Sequence, residues 1–252
     1  MHDFSKWKCR ASRLGALLVE PKDATAKKAG ELSETAKAFL INAYVKEKYG
    51  REEDFTSKQT EKGKEQEQEG ASLFSEVEGR PFKLHKEYLE NDYFTGHIDL
   101  YCGENIQTIE ECWDIKCPWS MNTFLANLTK PLNRDYWAQI QVYYNLLGCG
   151  AGGVAYTLVN ASETQINDEL FYLAKRMGVI DVSVPPKEYI EAAAKLEYSM
   201  RFDDVDPKDR VLKFPVVRDD EFIEKAKGKV EKARIFLQEL EQKHLSFNEK
   251  KD

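Results

Sequence analysis

The chain has 252 residues, a length at which one α/β domain can bury a sizeable core, so we expect a single domain over residues 1–252. It contains no apolar run near the roughly 20 residues that cross a bilayer, and residues 1–10 are polar and basic without a signal-peptide core. These features predict a cytosolic (cytoplasmic) protein without a membrane segment. Five cysteines without paired spacing predict reduced thiols.

The net charge is −7, and the sequence pI near 5.4 argues at first against a nucleic-acid-binding protein. The distribution of charge matters more than the total. Residues 1–30 carry seven Lys or Arg and three acidic residues, a net charge of +4, and are expected to supply phosphate contacts. Residues 51–80 carry a net charge of −4, part of which a bound cation would neutralise.

The hydrophobic periodicity predicts helices and strands in a mixed order along the chain. The predicted helices are 12–18, 34–49, 60–77, 133–147, 163–177, 187–200 and 219–244. The predicted strands are 82–89, 93–102, 108–117, 154–159 and 210–217, with a turn at Asn91-Asp92. This order predicts an α/β fold with a mixed central sheet flanked by helices, and we expect the last ten or so residues to be frayed.

The most informative segment is Gly96-His97-Ile98-Asp99, which is followed by Asp114-Ile115-Lys116. Both lie on predicted strands separated by a Gly103-Glu104-Asn105 turn, so we expect the strands to pair as a hairpin. Side chains alternate between the two faces of a strand, which places the two charged members of the triplet on one face and Ile115 on the other. Two carboxylates and a lysine on neighbouring strands are the groups that a metal-dependent phosphodiesterase needs.

The charge of a phosphodiester explains this choice of residues. Mg²⁺ is typically held by one or two carboxylates, waters and the substrate phosphate, so Asp99 and Asp114 are the predicted ligands, together with the backbone carbonyl of Ile115. Mn²⁺ is the expected substitute. A bound ion activates water and offsets phosphoryl charge, while Lys116 is placed to orient that water or to stabilise the transition state. The alternative is that Asp-x-Lys is only a pair of solvated charges on an exposed strand.

The predicted helix 133–147 strengthens the catalytic interpretation. Gln139 and Tyr143 are four residues apart and therefore share one helix face, whereas Gln141 points elsewhere. The amide of Gln139 can orient a water or a phosphate oxygen. Tyr143 is expected either to contact the DNA backbone or to brace the site, with core packing as the alternative.

Other chemistry has little support in the sequence. The four histidines lack paired ligand spacing, and His97 is interpreted as filling the open face of its strand rather than as a metal ligand. No phosphate-binding G-x-x-x-x-G-K-[ST] motif occurs, and the glycines of 148–153 are interpreted as a flexible helix stop, so ATP use is not expected. Trp119 is the candidate for stacking on unwound bases, with core packing as the alternative.

Four motifs occur in a familiar order. The two most specific are Asp114-Ile115-Lys116-Cys117-Pro118 and Tyr136-Trp137-Ala138-Gln139-Ile140-Gln141, and they are preceded by Ala11-Ser12-Arg13-Leu14-Gly15 and Lys62-Gly63-Lys64-Glu65-Gln66-Glu67. Together they resemble the motifs of the PD-(D/E)XK nucleases, and within them those of the lambda exonuclease or YqaJ-type viral recombinase branch. The match runs from Ser12 to about Asn160 and resumes weakly over 216–221, so residues 161–210 are interpreted as a helical insertion.

The resemblance implies a restriction-endonuclease-like core and a Mg²⁺-dependent 5′ to 3′ exonuclease that digests double-stranded DNA ends to leave 3′ single strands. It further implies that Ser12 and Arg13 contact the terminal phosphate and that Glu67 is the active-site glutamate of its helix, although Glu65 and Glu69 are alternative positions. Phage-type recombination, a single-strand annealing protein as partner and a homotrimeric ring are also implied. Because no cysteine follows Cys149, the C-terminal iron–sulfur cluster of some related nucleases is not expected.

The sequence departs from that branch in two places: aspartate replaces the commoner glutamate at Asp114, and Lys62 stands where arginine is usual. Two other function classes remain open. A restriction-like or structure-specific endonuclease would use the same site residues, and a closed circular substrate would separate it from an exonuclease. A non-catalytic DNA-binding or scaffold protein on a nuclease fold would be expected to have lost a carboxylate or the lysine, and this chain retains them.

Overall fold

The structure, a computed structural model, describes residues 2–51, 58–85, 87–106 and 108–249, with side chains described from residue 66 onward in the helix that begins at Lys58 and up to residue 247 in the last helix. Within these residues the chain forms eight strands: β1 (Cys9–Arg10), β2 (Lys83–Leu84), β3 (Tyr88–Glu90), β4 (Phe94–His97), β5 (Leu100–Gly103), β6 (Ile109–Lys116), β7 (Gly152–Thr157) and β8 (Val211–Pro215).

Two sheets are built from these strands. The larger has the order β2-β5-β6-β7-β8, and all its pairs are antiparallel except β6 with β7, so the prediction of a mixed central sheet is confirmed. The smaller has the order β1-β4-β3, with β1 parallel to β4. The predicted hairpin is present as β5 and β6, in which Leu100 pairs with Trp113.

Two predicted strands are each divided between the two sheets. Residues 93–102 were expected to form one strand, but β4 belongs to the smaller sheet and β5 to the larger, and Asp99 lies in the break between them. Residues 82–89 are likewise divided into β2 and the start of β3. Alternating hydrophobicity is the same on both sides of such a break, so the pattern predicted extended chain correctly but not the change of sheet.

The helices of the described residues agree closely with the predicted ranges. They are α1 (Leu14–Leu18), α2 (Ala24–Lys28), α3 (Glu34–Tyr49), α4 (Lys58–Glu78), α5 (Met121–Leu125), α6 (Arg134–Leu147), α7 (Glu163–Arg176), α8 (Lys187–Ser199) and α9 (Asp220–Glu249), with 3₁₀ turns at Ala11–Arg13, Ala126–Thr129 and Pro207–Arg210. The short α2, α5 and β1 were not predicted. The last helix, α9, continues to Glu249, and residues 250–252 lie outside the described residues. The expected fraying of the last ten residues stays a prediction.

Helices cover both faces of β6, and its side chains alternate between them as predicted. Trp113 and Ile115 pack with Phe74 of α4 in one core, whereas Cys112 belongs to the core that contains Ile140 of α6. Asp114 therefore points toward α6. None of the described helices combines the length and apolarity needed to span a bilayer.

Backbone geometry requires glycine at positions 148 and 152 after α6. Gly148 ends the helix in a left-handed conformation with φ of +70°. Gly152 has φ of +126°, and a Cβ there would lie 1.7 Å from the carbonyl oxygen of Cys112 on the neighbouring strand. The interpretation of this segment as a flexible stop is therefore incomplete, because its last two glycines are the first residues of β7.

Candidate active site

Asp99 occupies the break between the two sheets and contacts the next strand directly. Its Oδ2 accepts a hydrogen bond of 2.9 Å from the backbone N–H of Ile115. Because β5 begins only at Leu100, which pairs with Trp113, backbone pairing ends before Ile115 on this side. The carboxylate of Asp99 takes the place of a backbone acceptor, and the two predicted acidic segments are brought together by this bond.

Asp114 is fully buried and contacts two of the other predicted residues. Its Oδ1 accepts a hydrogen bond of 2.9 Å from Nε2 of Gln139, and its Oδ2 lies 2.6 Å from Nζ of Lys116. Lys116 also lies over the ring of Tyr136, with Nζ 5.0 Å from the ring centroid. The predicted common face of Asp114 and Lys116 is confirmed, and α6 supplies the third side of the cluster.

Tyr143 braces Gln139. Its buried hydroxyl accepts a hydrogen bond of 2.6 Å from Nε2 of Gln139, so both residues lie on the face of α6 that was predicted for them. Gln141 points elsewhere, as expected: its Nε2 donates to the carbonyl of Val217 and its Oε1 accepts from the N–H of Asp219. The two glutamines of the motif therefore have different partners, one in the site and one in the segment that leads into α9.

Glu67 approaches the carboxylates from α4. One ligand atom from each of Glu67, His97 and Asp99 lies within 4.8 Å of the other two. Of the alternative positions, Glu69 is exposed, and the side chain of Glu65 lies outside the described residues, as do those of Lys62 and Lys64. The structure thus brings Glu67 to the site, together with His97, for which the sequence had indicated no ligand role.

The carboxylates of Asp99 and Asp114 lie close together in a buried setting, and their negative charges repel each other. Burial raises the pKa of Asp114 to about 7, with the Lys116 ammonium working against the shift and the charge of Asp99 adding to it. Burial also raises the pKa of Asp99, and the nearby Glu67 adds to that shift. Burial opposes the charge on Lys116, but Asp114 and Asp99 together raise its pKa, so the side chain remains an ammonium at neutral pH.

This donor set fits a divalent cation. Carboxylate oxygens are the ligands of Mg²⁺ and Mn²⁺; the carboxylates of Glu67 and Asp99 lie close together, and the carboxylate of Asp114 lies near that of Asp99. The buried Oδ2 of Asp114 is contacted by Lys116 but makes no hydrogen bond to any other residue that the structure describes. A cation here would favour the charged form of the carboxylates of Asp99 and Asp114, whose pKa values are raised by burial and by their mutual repulsion.

A cavity of about 510 Å³ opens onto the cluster. Its lining includes Glu67, His97, Asp99, Gln139 and Tyr143 from the site and Arg10, Ser12 and Tyr88 from the N-terminal part of the chain. Nη2 of Arg10 donates to the hydroxyl of Tyr88 over 3.5 Å, and both side chains are exposed. A polar recess with an arginine and a serine at its edge suits a phosphate.

Two of the residues predicted to contact DNA, Arg13 and Trp119, do not line the cavity. Arg13 is exposed but is not among the residues that line the cavity, whereas Arg10 is. The reason is β1, which pairs Arg10 with Thr95 of β4 and so carries it alongside the Gly96-to-Asp99 segment. Trp119 is half-buried against the core formed by Ala161, Ile166 and Met200 and does not line the cavity.

Sequence reasoning missed Arg10, Tyr88 and His97. The alternation of the 93–102 segment already placed His97 and Asp99 on one face, which was the signal available for His97. Arg10 and Tyr88 reach the cavity only through the pairing of β1 and β3 with β4, and a two-residue strand has no periodicity to detect.

No protein-family model matches the sequence, and no curated protein matches it. Solved structures do match. A phage-related exonuclease from Haemophilus somnus 129PT is 22% identical with a TM-score of 0.71, and the match covers 95% of this chain and 97% of that one. An alkaline exonuclease, LHK-Exo from Laribacter hongkongensis, is 16% identical with a TM-score of 0.57, covering 98% of this chain and 94% of that one.

A second structure of LHK-Exo, in complex with dAMP, gives a TM-score of 0.55 at 16% identity, with coverage of 96% of this chain and 92% of that one. The chain therefore has the fold of these exonucleases, and the fold that the motif resemblance implied is confirmed. At these identities the likeness defines the fold, and the activity has to be argued from the site.

Proposed function

We propose that this protein is a metal-dependent deoxyribonuclease that digests double-stranded DNA from its ends in the 5′ to 3′ direction. The observation that carries the proposal is the cluster of Asp99, Asp114, Lys116 and Gln139 around one buried point beside an open polar cavity. Asp99 and Asp114 can bind a metal ion, Lys116 supplies a fixed ammonium and Gln139 an amide that can orient water. Phosphodiester hydrolysis requires these groups. The fold shared with known exonucleases supports the same conclusion.

Asp99, Asp114 and Glu67 are the proposed side-chain ligands of Mg²⁺, with Mn²⁺ as a substitute, and the Ile115 carbonyl is the proposed backbone ligand. The N–H of Ile115 donates to Asp99, and the N–H and C=O of one strand residue point to the same edge of the strand. The carbonyl therefore faces Asp99 rather than β7. A bound divalent ion supplies charge for the phosphoryl oxygens and lowers the pKa of water.

Lys116 acts as a hydrogen-bond donor and positive charge, since its raised pKa keeps it protonated. It is placed to contact a phosphoryl oxygen as negative charge develops in the transition state. Gln139 uses its Nε2 for Asp114 and Tyr143, which leaves its Oε1 to accept a hydrogen bond from the attacking water. Tyr143 then acts by holding this amide in place.

The N-terminal rim of the cavity is the proposed site of the DNA terminus. Ser12 and Arg10 line it; Ser12 is proposed to contact the terminal phosphate, and Arg10 is proposed to supply the guanidinium that was expected from Arg13. Arg13 and Trp119 are proposed to contact DNA outside the cavity. The bound dAMP of LHK-Exo is the kind of mononucleotide that a DNA exonuclease releases, which supports a deoxynucleotide product for this chain.

The wider role follows from the resemblance. We propose that the product is a duplex with a 3′ single strand, that it enters phage-type recombination through a single-strand annealing protein, and that a homotrimeric ring threads the DNA in the cytoplasm of the cell. An endonuclease on the same site is the second candidate function. A scaffold without activity is a weaker candidate because the carboxylates, the lysine and Gln139 meet in one cluster.

The test is digestion of a linear duplex that carries a label at one 5′ end, beside a relaxed closed circle, with Mg²⁺ or with EDTA. The proposal expects labelled mononucleotides from the linear duplex and an intact circle, with no product in EDTA. Cutting of the circle would identify an endonuclease. Absence of metal-dependent cleavage of both substrates would contradict the nuclease proposal.

A further inference from the structure

His97 lies at the proposed metal site but has no part in the mechanism above. It is the last residue of β4 and lies two positions before Asp99, which occupies the break between the two sheets. Its ring nitrogen, a carboxylate oxygen of Glu67 and one of Asp99 are within 4.8 Å of one another. His97 also lines the cavity, so its imidazole faces the region where an ion would lie.

The ring of His97 packs against an aromatic side chain of the neighbouring strand. Tyr88, which pairs with His97 across β3 and β4, packs against the ring at a centroid distance of 6.0 Å and an interplanar angle of 61°. Among the residues that the structure describes, none forms a hydrogen bond to a His97 nitrogen. The ring is therefore positioned by an aromatic contact, while its donor and acceptor atoms have no described protein partner.

The chemistry of an imidazole distinguishes between cations. Mg²⁺ takes oxygen ligands at short distances in near-ideal octahedral geometry. Mn²⁺ also suits carboxylate oxygens, but it belongs to the first-row divalent ions that bind sites with mixed nitrogen and oxygen ligands. A set of two carboxylates and one imidazole therefore favours Mn²⁺ over Mg²⁺, whereas the Asp99, Asp114 and Ile115 carbonyl set offers oxygen alone.

We propose that His97 is a direct metal ligand, that together with Glu67 and Asp99 it forms a nitrogen-containing half of the site, and that it gives the protein a preference for Mn²⁺ over Mg²⁺. Asp99 is shared between this half and the all-oxygen half. The inference rests on the proposed function only in assigning the ion to hydrolysis. The coordination itself is a property of the folded chain without DNA.

The experiment measures bound Mn²⁺ by electron spin echo envelope modulation, which detects a nitrogen nucleus bonded directly to the ion. Wild type, His97→Asn and His97→Gln are each loaded with Mn²⁺ alone. His2→Asn is the matched control, because His2 is the partner of Phe4 and Glu241 rather than of the site. Circular dichroism of each variant checks that the fold is retained.

The expected result is nitrogen modulation in wild type and in His2→Asn and none in His97→Asn or His97→Gln. The dissociation constant for Mn²⁺ is expected to rise about tenfold in both His97 variants, with that for Mg²⁺ changed by less than about threefold. Modulation that persists in folded His97 variants, or its absence from Mn²⁺-loaded wild type, would overturn the proposal. So would equal losses of Mn²⁺ and Mg²⁺ affinity.

These outcomes are independent of the digestion assay. A chain that binds Mn²⁺ through His97 without cutting DNA would contradict the proposed function and leave this inference standing. A chain that cuts DNA but shows no nitrogen ligand would support the proposed function and contradict this inference.

Discussion

Nε2 of Gln139 lies 2.9 Å from Oδ1 of Asp114, and this hydrogen bond joins α6 to the central strand of the sheet. The same nitrogen donates to Tyr143, so a single amide is held by a carboxylate and a phenol. Gln141, two residues on, makes equally short bonds to the backbone of Val217 and Asp219. The motif thus pairs one glutamine that serves the site with one that serves the fold.

Replacement of these glutamines should separate the two roles. Gln139→Ala is expected to lower kcat by about 10² to 10³ because the amide that orients the water is lost, and to lower Tm as well because the buried Asp114 and Tyr143 lose a hydrogen-bond partner. Gln141→Ala should keep kcat near that of wild type and lower the free energy of unfolding by about 2 kcal/mol, since the part-buried backbone groups of Val217 and Asp219 lose their partners. Single-turnover digestion and urea unfolding measure the two effects. Equal losses of activity in the two variants would contradict the assignment.

The raised pKa of Asp114 predicts a dependence on pH. Its folded pKa of about 7 lies above the unfolded value of 3.8, so in the absence of metal the stability it contributes is present at low pH and is lost as pH rises toward 7. Binding of Mg²⁺ needs the carboxylate, so the rise in Tm on adding Mg²⁺ should be larger at about pH 8 than at about pH 6.

At limiting Mg²⁺, kcat/KM should accordingly fall about tenfold for each pH unit below the midpoint, and more Mg²⁺ should move that midpoint to lower pH because ion and proton compete. Thermal melts and initial rates across this range provide the measurement. A midpoint that does not move with Mg²⁺ would argue against Asp114 as a ligand.

Gly70 positions α4, and hence Glu67, against the sheet. A Cβ at Gly70 would lie 2.7 Å from Oγ1 of Thr157 and 3.2 Å from Cγ2 of Ile115. Gly70→Ala should therefore push the helix outward and weaken Mn²⁺ binding by about tenfold. Gly228→Ala in α9 is the control, because nothing lies within 4 Å of its added methyl group.

The control substitution should raise the free energy of unfolding by about 0.5 to 1 kcal/mol, the difference in helix propensity between alanine and glycine. Calorimetric titration with Mn²⁺ compares the two variants with wild type. Unchanged affinity in Gly70→Ala would show that Glu67 is not held in place by this contact.

Glu241, in the last helix α9, anchors the N-terminal segment of the chain and lies outside the proposed active site. Its carboxylate accepts hydrogen bonds from the N–H of His2, the hydroxyl of Tyr44 and the ammonium of Lys48. Burial opposes the charge, but these bonds lower its pKa to about 2. Glu241→Gln should lower the free energy of unfolding by about 2 to 3 kcal/mol, since it weakens hydrogen bonds to a buried charge.

Because the folded pKa of Glu241 lies below its ordinary value of 4.5, its contribution is present at neutral pH and is lost as pH falls through the acidic range toward 2. The exposed Glu239 on the same helix is the control, and Glu239→Gln should leave stability unchanged. Urea titrations at neutral and acidic pH are the measurement. A deficit in Glu241→Gln that does not shrink in acid would contradict this account.

Much of this arrangement was predictable because it depends on local periodicity. Asp114 and Lys116 share a face because a strand alternates, and Gln139 and Tyr143 share one because a helix turns every 3.6 residues. Where each segment is long and regular, as in α3 and β6, its predicted bounds agree with the structure to within a residue or so.

The site features that the sequence did not predict depend instead on pairing between strands that are distant in the chain. Arg10 reaches the cavity because a two-residue strand pairs in parallel with β4, and the hydrogen bond of Asp99 depends on a change of sheet in the middle of an alternating segment. Neither feature leaves a periodic trace in the sequence. The place of Arg10 rather than Arg13 at the cavity could be determined only from the register of these strands.

The central claim is that Lys116, held 2.6 Å from Asp114, serves hydrolysis of DNA. The most direct measurement is Mg²⁺-dependent release of mononucleotides from a linear duplex by wild type, Lys116→Met and, as a control, Lys243→Met, whose lysine is exposed near the end of α9. We expect a loss of about 10³-fold or more in kcat for Lys116→Met, by analogy with removal of a transition-state donor, with Mg²⁺ binding retained and the control unchanged. Activity of a folded Lys116→Met protein within a few-fold of wild type would contradict the account.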